Sequence, residues 1–186
     1  MTDSTRRRFL RIGAATATAT GAVALAGCTG VLSDGEESYD DYSLPEASAS
    51  VEVEMGPDGT DLFEPEIARV EPGGTVTWTN VSRNHSATAY HPDNDAPRRV
   101  PEGSQSWDTE VIRENGTSDS HTFEVPGVYD YYCIPHESLG MVGTVVVGDP
   151  GPADQSGLQS PGEQVARGAR SKLEELNAKV QAALEG

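Results

Sequence analysis

Residues 125–147 read VPGVYDYYCIPHESLGMVGTVVV, and this stretch predicts a strand, a loop and a second strand. The runs VYDYYC and VGTVVV have the β-branched and aromatic composition of strands, and a Pro-Gly pair marks the turn before the first run. Within nine residues the stretch holds a thiol, an imidazole and a thioether, at Cys133, His136 and Met141. Because Cys133 ends a strand and the other two lie in the following loop, we expect the three side chains to turn toward one point.

That combination of side chains is typical of one kind of metal site. A Cys thiolate and two His nitrogens in a plane, with a weak axial Met sulfur, suit copper in both of its oxidation states. The second imidazole is predicted to come from His85, which follows a predicted strand that ends at Asn80. The other two histidines are the rival candidates. His91 opens a polar loop and is expected to face solvent, and His121 starts a strand and is expected to be a packing or surface residue; either could make an accessory copper contact. The sequence therefore predicts one type 1 copper ion, with the ligands His85, Cys133, His136 and Met141.

Short strands separated by Gly, Pro and Asn turns recur through residues 51–148. The predicted strands upstream of the quoted stretch are Val51–Met55, Ile67–Val70, Thr75–Asn80, Ser86–Tyr90, Ser106–Val111 and His121–Val125. A turn is predicted at residues 71–74, which read EPGG. No helical period interrupts the series, and this pattern is typical of an antiparallel sandwich or barrel. We expect an all-β domain at 51–148.

Residues 1–27 predict an export signal. A basic segment that includes Arg6 and Arg7 precedes a run of small apolar residues, as in a signal peptide. The paired arginines resemble the twin-arginine type of signal. The run LAGC at 25–28 resembles a lipobox, so we expect Cys28 to be lipidated and to anchor the exported protein to the outer face of the cytoplasmic membrane.

Three further segments flank the predicted β domain. Residues 28–50 are rich in Gly, Ser, Asp and Glu and predict a flexible tether, in which Tyr39 and Tyr42 could dock locally. Residues 149–162 predict a Pro/Gly/Ser linker. Residues 163–185 carry apolar side chains at three- and four-residue spacings and predict an amphipathic helix. Such a helix could pack on the domain, pair with another copy or stay marginal in water, and we expect a monomer.

The charge balance excludes one class of partner. The chain has 13 basic and 30 acidic residues, a formal net charge of −17, so its surface should repel phosphate backbones and bind no nucleic acid. Strong acidity of this kind is also typical of salt-adapted, halophilic proteins. The two cysteines lie in separate motifs, so no disulfide is expected between them.

Residues 61–147 resemble the plastocyanin-like blue-copper family, and in particular its halobacterial members, the halocyanins. The motifs that carry the resemblance are FEP at 63–65, VEPG at 70–73, VTWTN at 76–80, the histidine at 85, PGVYDYYCIPH at 126–136 and GMVG at 140–143. The resemblance implies an eight-stranded Greek-key cupredoxin sandwich, with His136 as the more exposed ligand near the surface where partners dock. Many relatives have Asn directly after the first His ligand, where it helps to order the Cys loop, whereas this chain has Ser86.

A closed set of four protein ligands predicts an electron carrier rather than an enzyme. Multicopper enzymes need further histidines, and four histidines are too few for a second copper centre. We expect the protein to shuttle single electrons between redox partner proteins of the respiratory chain outside the membrane. The alternative is a copper chaperone or storage module without an electron-transfer role.

Overall fold

A computed structural model describes residues 39–186. Within them lie the strands β1 (Ser48–Met55), β2 (Phe63–Glu64), β3 (Ile67–Asn80), β4 (Thr88–Ala89), β5 (Ser118–Phe123), β6 (Gly127–Tyr132) and β7 (Val142–Val147), and the helix α1 (Arg167–Glu185). The predicted signal peptide with Arg6 and Arg7, the predicted lipidation site Cys28 and the tether up to residue 38 lie outside the described residues. Among residues 39–186, no helix combines the length and the apolar character that a membrane crossing requires.

The longest strand, β3, takes part in both layers of the β sandwich. Its first four residues pair in parallel with β7, whereas its later residues pair with β1 in parallel and with β5 antiparallel. The change falls at residues 71–74, where the partner of β1 jumps from Val70 to Thr75. The sequence predicted a turn between two strands at this point. The chain instead continues as one strand through an irregularity, so a single strand serves both layers.

The strand order is β2-β1-β3-β7-β6-β4, and β5 also pairs with β3. This confirms the prediction of an all-β sandwich with a C-terminal helix. The predicted antiparallel pairing holds for β1–β2, β3–β5, β4–β6 and β6–β7, whereas β1–β3 and β3–β7 are parallel. An alternation of apolar and polar residues indicates that one face of a strand is buried, but it does not indicate whether the neighbouring strand runs parallel or antiparallel.

Residues 39–186 contain seven strands rather than the eight that the resemblance implied. The predicted strand at 106–111 contributes only an isolated bridge between Asp108 and Thr88, and the predicted strand at 86–90 shortens to β4. Because these pairings involve only one or two residues, most of residues 86–90 and 106–111 form loops.

Alternate residues of β6 and β7 face two different apolar clusters, as expected from the pleat of a strand. The inner cluster fills the sandwich and is rich in aromatic rings: Trp78 stacks on Trp107 at 5.6 Å between ring centroids and meets Tyr131 edge-on at 5.3 Å. Cys133 and Met141 belong to this inner cluster. The ligand stretch therefore ends inside the best-packed part of the molecule.

The outer cluster lies between the sheet and the C-terminal helix α1. The helix contributes Ala169, Leu173, Leu176 and Val180, all buried. Of the three arrangements open to the predicted amphipathic helix, the structure shows packing on the domain. The helix begins at Arg167 instead of residue 163, because Ala166 has an extended backbone (φ −57°, ψ 146°).

The described part of the predicted tether is also packed. β1 begins at Ser48, before the predicted domain boundary at residue 51. Tyr42 and Leu44 are partly buried against the outer cluster, and the Lys179 ammonium lies 5.5 Å from the centre of the Tyr39 ring. In the segment for which the sequence predicts a flexible tether, Tyr42 and Leu44 thus pack against the outer cluster and the residues from Ser48 onward pair in β1.

Arg99 fastens the predicted linker to the sheet. Its guanidinium donates to the carbonyl oxygens of Gly157 and Gln159 and, at 2.8 Å, to the carboxylate of Asp130 on β6. Asp130 is fully buried and also accepts a hydrogen bond of 2.7 Å from Thr144. Burial raises the pKa of Asp130 to about 6, against the opposing effects of Arg99 and Thr144, so the carboxylate is ionised and paired at neutral pH. We term these residues the Arg99 cluster.

Candidate metal centre

The connection between β6 and β7 carries the three candidate ligands that lie close together in sequence, Cys133, His136 and Met141. Cys133 follows β6 directly, and a 3₁₀ helix, Ile134–Leu139, carries His136. The Cys133 amide donates to the Met141 carbonyl at 3.0 Å, and the Met141 amide donates to the His136 carbonyl at 3.2 Å. These bonds close residues 134–140, which we term the ligand loop, at its base.

His85 reaches the same place from the other side of the sandwich. Its backbone exchanges two hydrogen bonds with Ile112, of 2.8 and 3.2 Å, and its side chain is fully buried. Gly56, at the end of β1, backs the imidazole, because a Cβ at this residue would lie 2.3 Å from His85 Nε2. The close approach of this backbone leaves Nδ1 as the imidazole atom that faces Cys133 and His136.

Three donor atoms meet at one point. Cys133 Sγ lies 3.7 Å from His85 Nδ1 and 3.5 Å from His136 Nδ1, and the two Nδ1 atoms are 3.2 Å apart. A point equidistant from the three atoms lies about 2 Å from each, which is the length of a metal–imidazole bond. Among the described residues, these are the three His, Cys or carboxylate side chains that group closely enough to hold a metal ion.

Met141 occupies the base of the ligand loop. Its side chain is fully buried in the inner cluster together with Cys133. Both of its backbone hydrogen bonds run to residues that carry donor atoms of the triad. Its position agrees with the axial ligand that the sequence predicts, and the sulfur contact itself stays a prediction.

The rival histidines lie outside this group. His91 caps a short 3₁₀ helix, with its Nδ1 accepting from the Asp93 amide at 3.1 Å. His121 lies on β5 and stacks on Trp107 at 5.0 Å between ring centroids. Each imidazole therefore has a structural role in place, away from the three donors.

Burial holds His85 and Cys133 in their neutral forms in the absence of a metal. It lowers the pKa of His85 to about 4, and the neighbouring His136 acts in the same direction. It also raises the pKa of the Cys133 thiol to about 11, although hydrogen bonds from Ser86 oppose that change. At neutral pH the His85 nitrogen is therefore free to coordinate, whereas the thiol must lose its proton as the metal binds.

Ser86 connects the two halves of the centre. Its amide donates to Cys133 Sγ at 3.4 Å, and its hydroxyl accepts from the Ile134 amide at 2.8 Å. Thr88 lies 3.1 Å from the same hydroxyl and fixes its orientation. Ser86 thus orders the Cys loop through its own hydroxyl, at the position where the resemblance implies Asn. The resemblance indicates that this position departs from the family pattern, but only the packing shows that a hydroxyl takes the place of the Asn side-chain amide.

His136 is the ligand at the surface. Its side chain is 18% exposed, and its Nε2 lies 3.6 Å from the Asp61 carboxylate, which is paired with Arg83 at 3.0 Å. Leu62, Ile134 and Leu139 are 41%, 46% and 67% exposed, and are the exposed large apolar side chains among the described residues. Two belong to the 3₁₀ helix of His136 and the third adjoins Asp61, so we term the three residues the apolar rim.

Within residues 39–186, the fold and the donor set together define a β sandwich with one thiol–imidazole metal site. Residues 51–148 match the family of copper binding proteins described as plastocyanin/azurin. The chain belongs to this family. The likeness accords with the triad of one thiol and two imidazoles found independently in the structure.

Relatives of known name support the same assignment. The chain is 34% identical over 112 residues to a pseudoazurin of Paracoccus pantotrophus, covering 58% of this chain and 69% of that protein. It is 34% identical over 108 residues to a chloroplastic plastocyanin of Tetradesmus obliquus, covering 57% of this chain and 72% of that protein. The crystal structure of pseudoazurin from Methylobacterium extorquens AM1 is 28% identical, with a TM-score of 0.55 over 71% of this chain and 99% of that one.

The family binds one copper ion, and the residues present fit it. Thiolate and imidazole are the ligands that copper takes in such sites. The spacing of the three atoms leaves room for one ion, and His85 Nε2 has no hydrogen-bond partner among the described residues, so Nδ1 is the atom committed to the site. Family membership also supports copper electron transfer as the activity of this centre.

Proposed function

We propose that the protein is a membrane-anchored blue-copper electron carrier that shuttles single electrons between redox partner proteins outside the cytoplasmic membrane. One observation carries the proposal: two donor side chains are fully buried, whereas the third, His136, has an edge at the surface beside the apolar rim. When bound, copper supplies reversible one-electron exchange.

The surrounding residues suit transfer without rearrangement. Cys133, His85 and Met141 are fully buried, so water is excluded from one side of the centre. Ser86 and the closed base of the ligand loop fix the donors through backbone hydrogen bonds. A site held in one arrangement needs little movement when its charge changes, and this favours fast electron transfer. Protein ligands fill the predicted coordination positions, which favours a carrier over an enzyme.

The apolar rim is suited to brief contacts with a partner. Exposed apolar groups around a polar centre favour docking because their burial releases water without fixing charged pairs. The Asp61–Arg83 pair lies at the same edge and adds a polar border. A partner that covers the rim would bring its own redox centre close to the His136 imidazole.

The location outside the membrane rests on the sequence alone. The arginine pair Arg6-Arg7 favours export, and Cys28 in the run LAGC favours lipidation at the outer face. Residues 29–38 would then connect the lipid to the packed segment that begins near Tyr39. Such an anchor suits exchange with membrane-bound partners of the respiratory chain. Fractionation tests it: wild-type protein should sediment with membranes, and a Cys28→Ala variant should remain exported but leave the membrane fraction.

The electron-carrier role is tested on purified, copper-loaded protein. We expect an intense blue thiolate-to-copper(II) charge-transfer band and a reversible one-electron wave on an electrode. A chaperone or storage module would instead give a colourless or redox-silent copper complex, and this result would overturn the proposal.

A further inference from the structure

The ligand loop does not stand alone at the end of the sandwich, because the first turn of α1 packs directly against it. At Gly168, an added Cβ would lie 2.2 Å from the carbonyl oxygen of Ser138 and 3.0 Å from the amide nitrogen of Gly140. Both neighbours are backbone atoms of the ligand loop, so no flexible side chain can yield to the added carbon. Only glycine at this position permits the contact as it stands.

A second contact is made by the residue after His136. The Glu137 carboxylate accepts from the hydroxyl of the buried Tyr90 at 2.9 Å and from the Ala166 amide at 3.3 Å. Ala166 is the N-cap residue directly before α1, and its side chain makes no capping hydrogen bond. The first amides of a helix need acceptors and favour a negative charge. Glu137 therefore caps the helix from the ligand loop and fixes the loop to the sheet through Tyr90.

The helix itself is fastened to the sandwich away from the loop. The Lys172 ammonium lies 2.8 Å from the Glu66 carboxylate, just before β3. Leu173, Leu176 and Val180 bury the apolar face of α1 against the sheet. The loop thus rests against a support whose position is set by independent contacts.

We propose that α1 is a positioning element of the copper centre: through Gly168 and Glu137 it sets the backbone of the ligand loop, and so the orientation of His136. The inference deepens the proposed function and rests on copper binding at this site. It gives the C-terminal helix a role beyond covering the sheet, since a shift of the loop changes the relative stability of the two copper oxidation states.

A pair of glycine substitutions tests the contact. Gly168→Ala places a methyl group against the Ser138 carbonyl, whereas Gly162→Ala places one where no atom lies within 4 Å. We expect Gly168→Ala to change the ratio of oxidised to reduced protein at a fixed ambient potential at least twofold and to shift the charge-transfer band. Gly162→Ala should leave both unchanged. Alanine favours helices more than glycine does, so a helix that only covered the sheet would tolerate the change at Gly168.

Three glutamate substitutions test the cap without adding bulk. Glu137→Ala removes the acceptor, Glu137→Gln retains an acceptor oxygen, and Glu174→Ala removes a charge from the exposed face of α1. We expect Glu137→Ala to shift the redox ratio and to speed amide hydrogen exchange in residues 134–141 of the copper-free protein. Glu137→Gln should recover much of both effects, and Glu174→Ala should cause neither.

The inference is overturned if Gly168→Ala and Glu137→Ala fold, stay blue and keep the wild-type redox ratio and loop exchange, even if both melt at lower temperature. Should Gly168→Ala fail to fold, the isosteric Glu137→Gln and the Glu137→Ala exchange data decide. A wild-type protein that binds copper without colour would count against the proposed function. A blue wild type with unshifted variants counts against this inference alone.

Discussion

The molecule buries two polar clusters, and they differ in how their hydrogen bonds are satisfied. In the Arg99 cluster, the guanidinium and the Asp130 carboxylate each have partners at normal distances. In the metal centre, Cys133 Sγ and two imidazole nitrogens face one another at 3.2–3.7 Å, and His85 Nε2 has no partner among the described residues. Asp130 lies within β6 and Cys133 directly follows this strand, so the two clusters meet the chain only three residues apart.

That difference separates a structural polar cluster from a binding site. A cluster whose groups all have partners stabilises the fold, whereas donor atoms whose lone pairs converge on one point offer a place for an ion. The Arg99 cluster is complete and holds the linker on the sheet. The donor triad is complete only with an ion, and the pKa values of about 4 for His85 and about 11 for Cys133 keep these two donors uncharged at neutral pH until a metal arrives.

The substitution with the largest expected effect removes a ligand of the metal centre. Cys133→Ser replaces the thiolate with a hydroxyl, so the charge-transfer band should disappear completely while the protein remains folded by circular dichroism. The Arg99 cluster should be unaffected, because Asp130 keeps all its partners. A variant that retained the blue band would contradict the assignment of Cys133 as ligand.

The second prediction concerns the Arg99 cluster. Asp130→Asn leaves the Arg99 guanidinium buried without its counter-charge, which should lower the free energy of unfolding by about 3–5 kcal/mol. Urea denaturation of the copper-free protein measures this loss. The blue colour of the loaded variant should persist.

A paired substitution serves as the control for Asp130→Asn. Replacing both partners by apolar residues, in Arg99→Met with Asp130→Leu, should recover much of the lost stability. If the single variant were as stable as wild type, the Arg99 cluster would have no structural role.

The third prediction concerns the surface above the metal centre. Leu139→Glu places a charge in the apolar rim and should slow electron self-exchange between oxidised and reduced copies about tenfold, which corresponds to roughly 1.4 kcal/mol of docking free energy. Line broadening in NMR spectra measures this rate. Ser120→Glu adds the same charge on exposed β5 and should change the rate little. Equal slowing by both variants would assign the effect to net charge and not to the rim.

The smallest expected effect tests the connection between the donors. Ser86→Ala keeps the amide that donates to Cys133 Sγ but removes the hydroxyl that accepts from the Ile134 amide. We expect a loss of about 1 kcal/mol in the free energy of unfolding, because one buried amide loses its acceptor. Ser86→Asn, which offers an amide oxygen as an alternative acceptor, should be milder. No difference between the alanine variant and wild type would show that the hydroxyl is dispensable.

Local sequence patterns predicted much of the candidate site. The spacing of Cys133, His136 and Met141 follows from one strand and one loop, and both are encoded by adjacent residues. The strand pattern upstream placed His85 beside them only as an expectation, because the pairing joins residues far apart in the chain. The roles of Gly56 and Glu137 could not be predicted, since a glycine and a glutamate next to a loop carry no signal of what approaches them.

The same division applies to the fold. The alternation in β1 and the β-branched runs of β6 and β7 predicted strands with nearly correct bounds, because alternation reports a buried face directly. It did not report that β3 runs unbroken through residues 71–74 or that two of its pairings are parallel. The apolar stripe of the C-terminal helix was evident in the sequence, but it did not predict which surface the helix packs on.

The sequence by itself determined a β domain, the donor types and the β6–β7 connection that carries Cys133, His136 and the predicted ligand Met141, since these depend on residues close in the chain. The tertiary structure decided that His85 completes the triad, that a serine orders the Cys loop and that α1 supports the ligand loop. These features depend on backbone atoms brought within a few ångströms by packing, and such approaches are set by the whole fold and not by any local pattern.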